Sequence, residues 1–354
     1  MRRMKIRNAL PVALVIASAC ASKPAAAPAP ATAPAAPPAA ELARSGLAVA
    51  LNADVVLKDS SRNREVPVRV TYPEGAGPVP VIVFSPSAGA SAQTYDPLAR
   101  FWATRGFAVL VPAHADTAAS AAKDSPTEAA RESAADASPD PKTWETSVRD
   151  VAFVAAATGA IEARVNGLRL DESRLGVGGQ SFGAFTAMLL AGATVDVSKK
   201  DKARSFADPL PKAFLLLSPP GKGQQGLTDK SWIAVERPLM VVTGTRDPGI
   251  KNQDASWRLD AYQLSPPGDK YAVFIEWASH VSLTGLSAEP GAALPKAGKK
   301  TTTADAEVAI FQDVKAATLA FWEAYLKGDA SARAFLAGDG LARESDNRAQ
   351  LLRR

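Results

Sequence analysis

Apolar, β-branched runs alternate with helical segments over most of the chain. The runs "VPVIVFS", "FAVLVP", "KAFLLLSP" and "PLMVVTG" are apolar almost throughout, as in strands that a parallel sheet buries on both faces. Segments with helical spacing separate them, among them "DPLARFWATRG" and "FGAFTAMLLAGA". The alternation predicts an α/β fold with a mostly parallel central sheet, helices on both faces and right-handed crossovers.

The segment that precedes this alternation has a different pattern. "ADVVLKDSSRNREVPVRVTYP" contains two runs with period-2 alternation, separated by a polar turn. Two strands joined by a short turn are antiparallel. We therefore expect antiparallel strands at the N-terminal edge of the sheet.

The first 19 residues have the layout of an export signal. "MRRMKIR" is basic, "ALPVALVIA" is a short apolar core, and "SAC" follows with Cys20, the sole cysteine of the chain. "IASAC" resembles a bacterial lipoprotein signal, in which the cysteine becomes the lipidated first residue; the alternative is a secretory signal cleaved after Ala19. The sequence thus predicts an exported protein, periplasmic or anchored to the outer membrane by its N-terminal lipid alone, or otherwise secreted.

Composition divides the remainder of the chain. Residues 20–45 are rich in Ala and Pro and predict a disordered tether, and residues 46–340 are expected to form the folded domain. Residues 113–142 are polar and Ala-rich, typical of either a lid or a solvated insertion, and residues 341–354 are expected to be a polar tail. The net charge of +5 falls by four to +1 without the signal's Arg2, Arg3, Lys5 and Arg7, so no nucleic-acid partner is expected.

One short motif points to chemistry. Gly179-Gln180-Ser181-Phe182-Gly183 is a G-x-S-x-G between a predicted strand, "RLGVGG", and a predicted helix. In this context the pattern forms a nucleophile elbow, with Ser181 Oγ at the carboxyl edge of the sheet and the Phe182 N–H directed at the same place. The alternative is a glycine-rich turn with an idle serine.

A serine hydroxyl needs a base, and the chain contains two histidines. In this architecture the order along the chain is serine, acid, histidine. His280, which follows the last predicted parallel strand, is therefore the predicted base. His114 precedes the serine and is either a loop histidine near the pocket or a residue that contacts substrate; Gln180 is a second candidate for substrate binding.

The acid and the oxyanion donors follow from strand ends. Asp247 lies in the turn after "LMVVTG" and is the predicted acid; its competitors are Asp254, Asp260, Asp269 and Glu276. The loop "VFSPSAGAS" follows an early strand and contains small residues that let backbone approach a substrate. Its predicted oxyanion donor is the Ala88 N–H, with Ser87 and Gly89 as alternatives.

The chain resembles the α/β-hydrolase superfamily, and within it the dienelactone-hydrolase-like group that includes bacterial relatives of platelet-activating-factor acetylhydrolase. The resemblance covers residues 64–329 and is carried by "REVPVRVTYP", "VIVFSPSAG", "SRLGVGGQSFGAFTA", "VVTGTRDPG", "PPGDKYAVFIEWASH" and "FWEAYLKGD". Two positions depart from the group's usual pattern: Pro86-Ser87 replaces the frequent His-Gly, and Gln180 replaces the frequent His.

The resemblance implies hydrolysis of carboxylic esters without a metal or an organic cofactor. Dienelactone hydrolases use a cysteine nucleophile; because Ser181 occupies that position here, the resemblance favours an ordinary ester, small or polymeric. Two other functions remain open from the sequence: a peptidase or amidase that uses the same triad, and a catalytically inactive envelope protein that binds a ligand.

Overall fold

The computed structural model of the chain describes residues 49–75, 77–114, 140–292, 294, 296–297 and 300–354. The predicted signal, Cys20, the tether and most of the 113–142 segment lie outside these residues. The strands, in chain order, are β1 (Ala50–Asp59), β2 (Arg64–Pro73), β3 (Val79–Ser85), β4 (Ala108–Pro112), β5 (Leu170–Gln180), β6 (Thr194–Val195), β7 (Arg204–Ser205), β8 (Ala213–Leu217), β9 (Leu239–Arg246), β10 (Lys270–Ser279), β11 (Lys296–Ala297), β12 (Lys300–Thr301) and β13 (Ala349–Arg353).

Nine of the described strands form one sheet, in the order β1-β2-β4-β3-β5-β8-β9-β10-β13. The six strands from β4 to β10 in this order run parallel. At the N-terminal edge β1 pairs antiparallel with β2 and β2 with β4, and at the other edge β13 pairs antiparallel with β10. The predicted mostly parallel sheet is confirmed, and its N-terminal edge is antiparallel.

Helices connect the strands. They are α1 (Asp96–Ala103), α2 (Pro141–Ala156), α3 (Thr158–Glu162), α4 (Phe182–Ala191), α5 (Asp260–Gln263), α6 (Ala304–Trp322), α7 (Ala330–Ala337) and α8 (Gly340–Glu344), with 3-10 turns at Ala92–Tyr95, Ala255–Leu259, Ser282–Thr284 and Leu286–Ala288 and a π-turn at Glu323–Lys327. Within the described ranges, no helix has both the length and the apolar character that crossing a membrane requires.

Side chains of the central strands alternate between two hydrophobic cores. In β3, Val81 and Val83 join the core that contains residues of α2 and α4, whereas Ile82 and Phe84 join the core that contains residues of α1 and α6. All four side chains have 0% exposure. Because successive side chains of a strand point to opposite faces, both faces of the sheet are covered by helices.

The prediction of a polar tail over residues 341–354 is wrong. Residues of α8 and β13 lie there, and β13 pairs with β10 from Tyr271↔Arg353 to Ile275↔Ala349. Leu341 and Ala349 are buried in the second core. Most of the polar residues of the segment lie at 343–348, at the end of α8 and in the turn before β13, and β13 itself is an edge strand with mostly exposed side chains.

Candidate active site

Ser181 connects β5 to α4 with a strained backbone. Its φ of 53° and ψ of −115° lie outside the regions that ordinary residues adopt. The Ser181 N–H donates to Leu217 O at 2.9 Å, and the Ser181 carbonyl accepts the first bond of the helix from the Phe185 N–H at 2.9 Å. The turn is therefore fixed to β8 on one side and to α4 on the other.

The glycines on either side of Ser181 allow close backbone contacts. A Cβ at Gly179 would lie 2.3 Å from the Gly183 carbonyl, and a Cβ at Gly183 would lie 2.0 Å from the Ser85 carbonyl oxygen. Contacts this short are not tolerated between non-bonded atoms. Both positions therefore need glycine, and the loop after β3 packs directly against the first turn of α4.

His280 lies at the end of β10 with its ring held by two side chains. Its Nδ1 is 2.9 Å from Asp247 Oδ1 and 2.6 Å from Ser218 Oγ. Ser218 Oγ donates to Asp247 Oδ2 at 2.5 Å, so its only proton is used there and Nδ1 must carry the proton it shares with these oxygens. This tautomer leaves the lone pair on Nε2, which is the nitrogen that can accept a proton.

Asp247 is completely buried beside a buried cation. Arg258 Nε is 2.8 Å from Asp247 Oδ1, and Thr243 Oγ1 donates to Oδ2 at 2.8 Å. Burial alone would raise the pKa of Asp247, but the charges of Arg258 and His280 and the Ser218 hydrogen bond outweigh it and lower the pKa to about 2. Asp247 is thus ionised at neutral pH and stabilises a positive charge on His280.

The other carboxylates considered for this role lie elsewhere. Asp254 is exposed and accepts from the Ser256 N–H, and Asp260 accepts from the Lys222 N–H at 2.9 Å. Asp269 and Glu276 are exposed. Among the candidate acids, Asp247 is the one that the structure brings together with His280.

Gln180 connects the elbow to the histidine. Its Nε2 donates to the backbone carbonyl of His280 at 2.8 Å, and its Oε1 accepts from the Tyr95 hydroxyl at 3.0 Å. The residue is 1% exposed. Both ends of the side chain proposed to bind substrate are therefore bonded to the protein, and the residue next to Ser181 is bonded directly to His280.

The loop after β3 supplies backbone near the elbow. The Ser87 N–H donates to the Tyr95 hydroxyl at 2.8 Å, so it is not directed at a substrate. Of the three candidate donors in this loop, Ala88 and Gly89 remain. Phe182, the other predicted donor, is the first residue of α4, where the helix dipole favours a negative charge.

His114 is part of a second cluster. Its Nε2 is 3.0 Å from Ser85 Oγ, and its Nδ1 is 3.2 Å from Asp150 Oδ2. Asp150 also forms ion pairs with Arg62 at 2.7 Å and Arg64 at 3.0 Å. His114 also borders a cavity of about 390 Å³ against β1 and β2. The structure therefore places His114 in hydrogen-bond contact with Ser85 and Asp150, at the edge of this cavity.

Three residues at the site were not singled out from the sequence: Tyr95, Ser218 and Arg258. Ser218 directly follows β8, so its place at the carboxyl edge of the sheet was a usable signal. Tyr95 and Arg258 lie on 3-10 turns, and the sequence pattern does not show which way such side chains point.

No family model matches the chain, and no curated protein matches it. Within the described residues, no group of three or more His, Cys, Asp or Glu side chains is arranged to hold a metal ion.

Proposed function

We propose that the chain is a serine hydrolase of the α/β-hydrolase type that cleaves carboxylic esters. One observation carries the proposal: the His280 ring is bonded through Nδ1 to the buried Asp247, while its backbone is bonded to the residue adjacent to the strained Ser181. A base oriented by a carboxylate and tied to a serine elbow is the arrangement that activates a hydroxyl.

The assignment to the α/β-hydrolase type is supported by order and context. The three residues follow β5, β9 and β10 in the chain order serine, acid, histidine. The elbow joins a strand of the parallel sheet to a helix, which is the context in which G-x-S-x-G presents a nucleophile.

In the proposed reaction, Ser181 Oγ attacks the ester carbonyl carbon while His280 Nε2 takes the hydroxyl proton. The electron pair of the C=O bond moves to the oxygen, which is stabilised by the N–H groups of Phe182 and Ala88. When the tetrahedral intermediate collapses, the C–O bond to the alcohol breaks and His280 gives its proton to the leaving oxygen. Water then repeats the sequence on the acyl-enzyme, releasing the acid and Ser181.

The ionised Asp247 has a defined part in these steps. It accepts the Nδ1–H bond throughout and becomes more important when the imidazolium forms, because the positive charge then lies 2.9 Å from its carboxylate. Arg258 Nε lies 2.8 Å from the same Oδ1, and this ion pair helps to fix the orientation of the carboxylate.

The test is covalent labelling with a fluorophosphonate. We expect the wild type to be labelled and Ser181→Ala not to be labelled, with both proteins unfolding at the same urea concentration. Equal labelling of the two proteins, or no labelling of the wild type, would contradict the proposal. A series of p-nitrophenyl esters from acetyl to decanoyl, compared with a p-nitroanilide, then identifies the acyl preference and distinguishes an esterase from an amidase.

A further inference from the structure

A buried chain of hydrogen bonds joins the loop after β3 to the histidine loop. The Tyr95 hydroxyl accepts from the Ser87 N–H at 2.8 Å, contacts Ser87 Oγ at 3.1 Å and donates to Gln180 Oε1 at 3.0 Å. Gln180 Nε2 then donates to His280 O at 2.8 Å. The path therefore runs from the proposed oxyanion loop through two side chains to the proposed base.

The chemistry of these groups fixes the direction of each bond. A hydroxyl has one proton and two lone pairs, and an amide oxygen only accepts. Because Gln180 Oε1 can only accept, Tyr95 donates to it, and a lone pair of Tyr95 accepts from the Ser87 N–H. In the same way the amide of Gln180 must direct its oxygen at Tyr95 and its nitrogen at His280.

Burial makes this chain rigid. Tyr95 and Gln180 are each 1% exposed, so water does not compete for their bonds. Tyr95 also packs against Phe84 of β3, with ring centroids 5.0 Å apart. The start of the loop after β3 also packs against Gly183 in the first turn of α4, where a Cβ would lie 2.0 Å from Ser85 O. Tyr95 and the first turn of α4 thus hold the loop from two directions.

We propose that Tyr95 and Gln180 are positioning residues that set the oxyanion loop and His280 relative to each other, an inference that rests on the proposed function. Both act through backbone groups, Tyr95 through the Ser87 N–H and Gln180 through the His280 carbonyl. Tyr95 keeps Ser87 from turning its own N–H toward the substrate, which leaves the next N–H, that of Ala88, to bind the oxyanion. Gln180 keeps the His280 backbone beside the elbow while Asp247 orients the ring.

Two of the positions at which the chain departs from the pattern of the resembled group, Ser87 and Gln180, belong to this chain of hydrogen bonds. Ser87 stands where that group often has Gly, and Gln180 stands where it often has His. The Tyr95 hydroxyl contacts both side chains, at 3.1 Å and 3.0 Å. The inference therefore gives the two substitutions one physical role.

The test compares Tyr95→Phe, Gln180→Met and the double variant with Tyr271→Phe as the matched control. Tyr271 also has a hydroxyl in a hydrogen bond, with Tyr325 at 2.8 Å, but it lies at the opposite end of β10 from His280. For each protein we would measure kcat and KM on a p-nitrophenyl ester, the rate constant of fluorophosphonate labelling, and the urea midpoint.

We expect Tyr95→Phe and Gln180→Met each to lower kcat and the labelling rate by roughly tenfold or more, with KM within about twofold, because removing an oxyanion donor outright costs about 10²–10³ in kcat. The double variant should be close to the worse single variant, because residues in one network are not additive. Tyr271→Phe should change the urea midpoint alone.

Three results separate the outcomes. A Tyr95→Phe protein that is labelled and turns over like the wild type overturns the inference and leaves the proposed function standing. Effects of the two substitutions that multiply independently also overturn it. A wild type that is neither labelled nor active overturns the proposed function and the inference with it. If Tyr95→Phe does not fold, the Gln180→Met variant tests the inference alone: a lower kcat at an unchanged KM supports it, and an unchanged kcat overturns it.

Discussion

Two clusters with the same three side-chain types lie at the carboxyl ends of neighbouring strands. The elbow cluster is Ser181, His280 and Asp247; the strand-end cluster is Ser85, His114 and Asp150. In both, Nδ1 of the histidine faces a carboxylate with 0% exposure. Burial of the serine does not separate them, since Ser181 is 1% and Ser85 is 0% exposed.

The backbone around each serine is what differs. Ser181 has a φ of 53° and is followed by Phe182, the first residue of α4, where a helix N-terminus favours a negative charge. Ser85 ends a regular strand and precedes Pro86, which has no N–H to offer a developing oxyanion. The comparison teaches that two clusters with the same side chains can differ in the backbone beside the serine, and under the proposed function that difference is what makes Ser181, and not Ser85, the nucleophile.

The charges around the two acids differ as well. Asp150 is held by two arginines, Arg62 and Arg64, and its histidine side chain is 2% exposed. The His280 side chain is 16% exposed, and its acid faces one arginine. The strand-end cluster is thus strongly paired, as suits a structural link between β3, β4 and α2, whereas the histidine of the elbow cluster is the more exposed of the two.

The largest expected effect separates the two serines. Ser181→Ala should lower kcat for ester hydrolysis by about 10⁴ or more, since loss of a nucleophile removes covalent catalysis and leaves the oxyanion hole and binding alone. Ser85→Ala is the matched control and should retain kcat within about threefold while losing one buried hydrogen bond, about 1 kcal/mol of stability. Steady-state kinetics and urea unfolding of both variants check this; equal losses of activity would break the comparison.

Substitution of the two acids should affect different properties, activity for Asp247 and stability for Asp150. Asp247→Asn should lower kcat by about 10³–10⁴, because the amide holds the wrong tautomer of His280. Asp150→Asn should keep kcat within about tenfold but reduce the free energy of unfolding by about 3 kcal/mol, because a neutral amide replaces the buried carboxylate that Arg62 and Arg64 share; Arg62 keeps its second ion pair, with Asp59. The same two assays apply. An Asp150→Asn protein as inactive as Asp247→Asn would mean that the strand-end cluster takes part in the chemistry.

A third prediction concerns acid. The pKa of Asp247 in the folded protein is about 2, below its usual value of 3.8. Ionised Asp247 therefore stabilises the fold, and this contribution is fully present at pH values well above 3.8. That contribution, about 2 kcal/mol, is lost as the pH falls from about 5 to about 2. Urea unfolding at a series of pH values should show this loss in the wild type.

In the Asp247→Asn variant, the free energy of unfolding should fall less than in the wild type as the pH is lowered over the same range. For Asp150, burial raises the pKa, but hydrogen bonds and charge from His114 and hydrogen bonds from Arg64 and Arg62 lower it overall. The Asp150→Asn variant should therefore also lose less stability than the wild type as the pH is lowered. A wild type as stable at pH 2 as at pH 5 would contradict the electrostatic description of both clusters.

The smallest effect is expected at Ser218, the additional hydroxyl of the elbow cluster. Ser218→Ala removes a hydroxyl that contacts both His280 and Asp247, and we expect kcat/KM to fall by about threefold to tenfold, the size of one hydrogen bond of about 1 kcal/mol. Thr318→Ala is the control: its buried hydroxyl bonds Val314 O and Trp102 far along the chain from the elbow. Equal kinetics for the two variants would remove Ser218 from the site.

Much of this fold could be predicted from the sequence because its signals are local. Continuous apolar runs predicted the parallel strands, and the Gly-rich motif between a strand and a helix predicted the turn at Ser181. The edge strand β13 was missed because a strand with one exposed face has no continuous apolar run; its place depends on pairing with β10.

The site was predictable in part for a similar reason. The positions of His280 and Asp247 follow from strand ends and chain order. The roles of Tyr95, Gln180 and Arg258 depend on contacts between residues far apart in the chain, such as the 85 residues that separate Tyr95 from Gln180. The same is true of His114, whose partners Ser85 and Asp150 come from β3 and α2.

The most direct measurement is to map the residue that carries the adduct after fluorophosphonate labelling of the native protein. Trypsin places Ser181 in the peptide 175–199 and Ser85 in the peptide 70–100, so mass spectrometry distinguishes them. We predict one phosphonyl group, on Ser181, and none on Ser85. An adduct on Ser85, or on any residue other than Ser181, would contradict the claim that the elbow cluster is the reactive one.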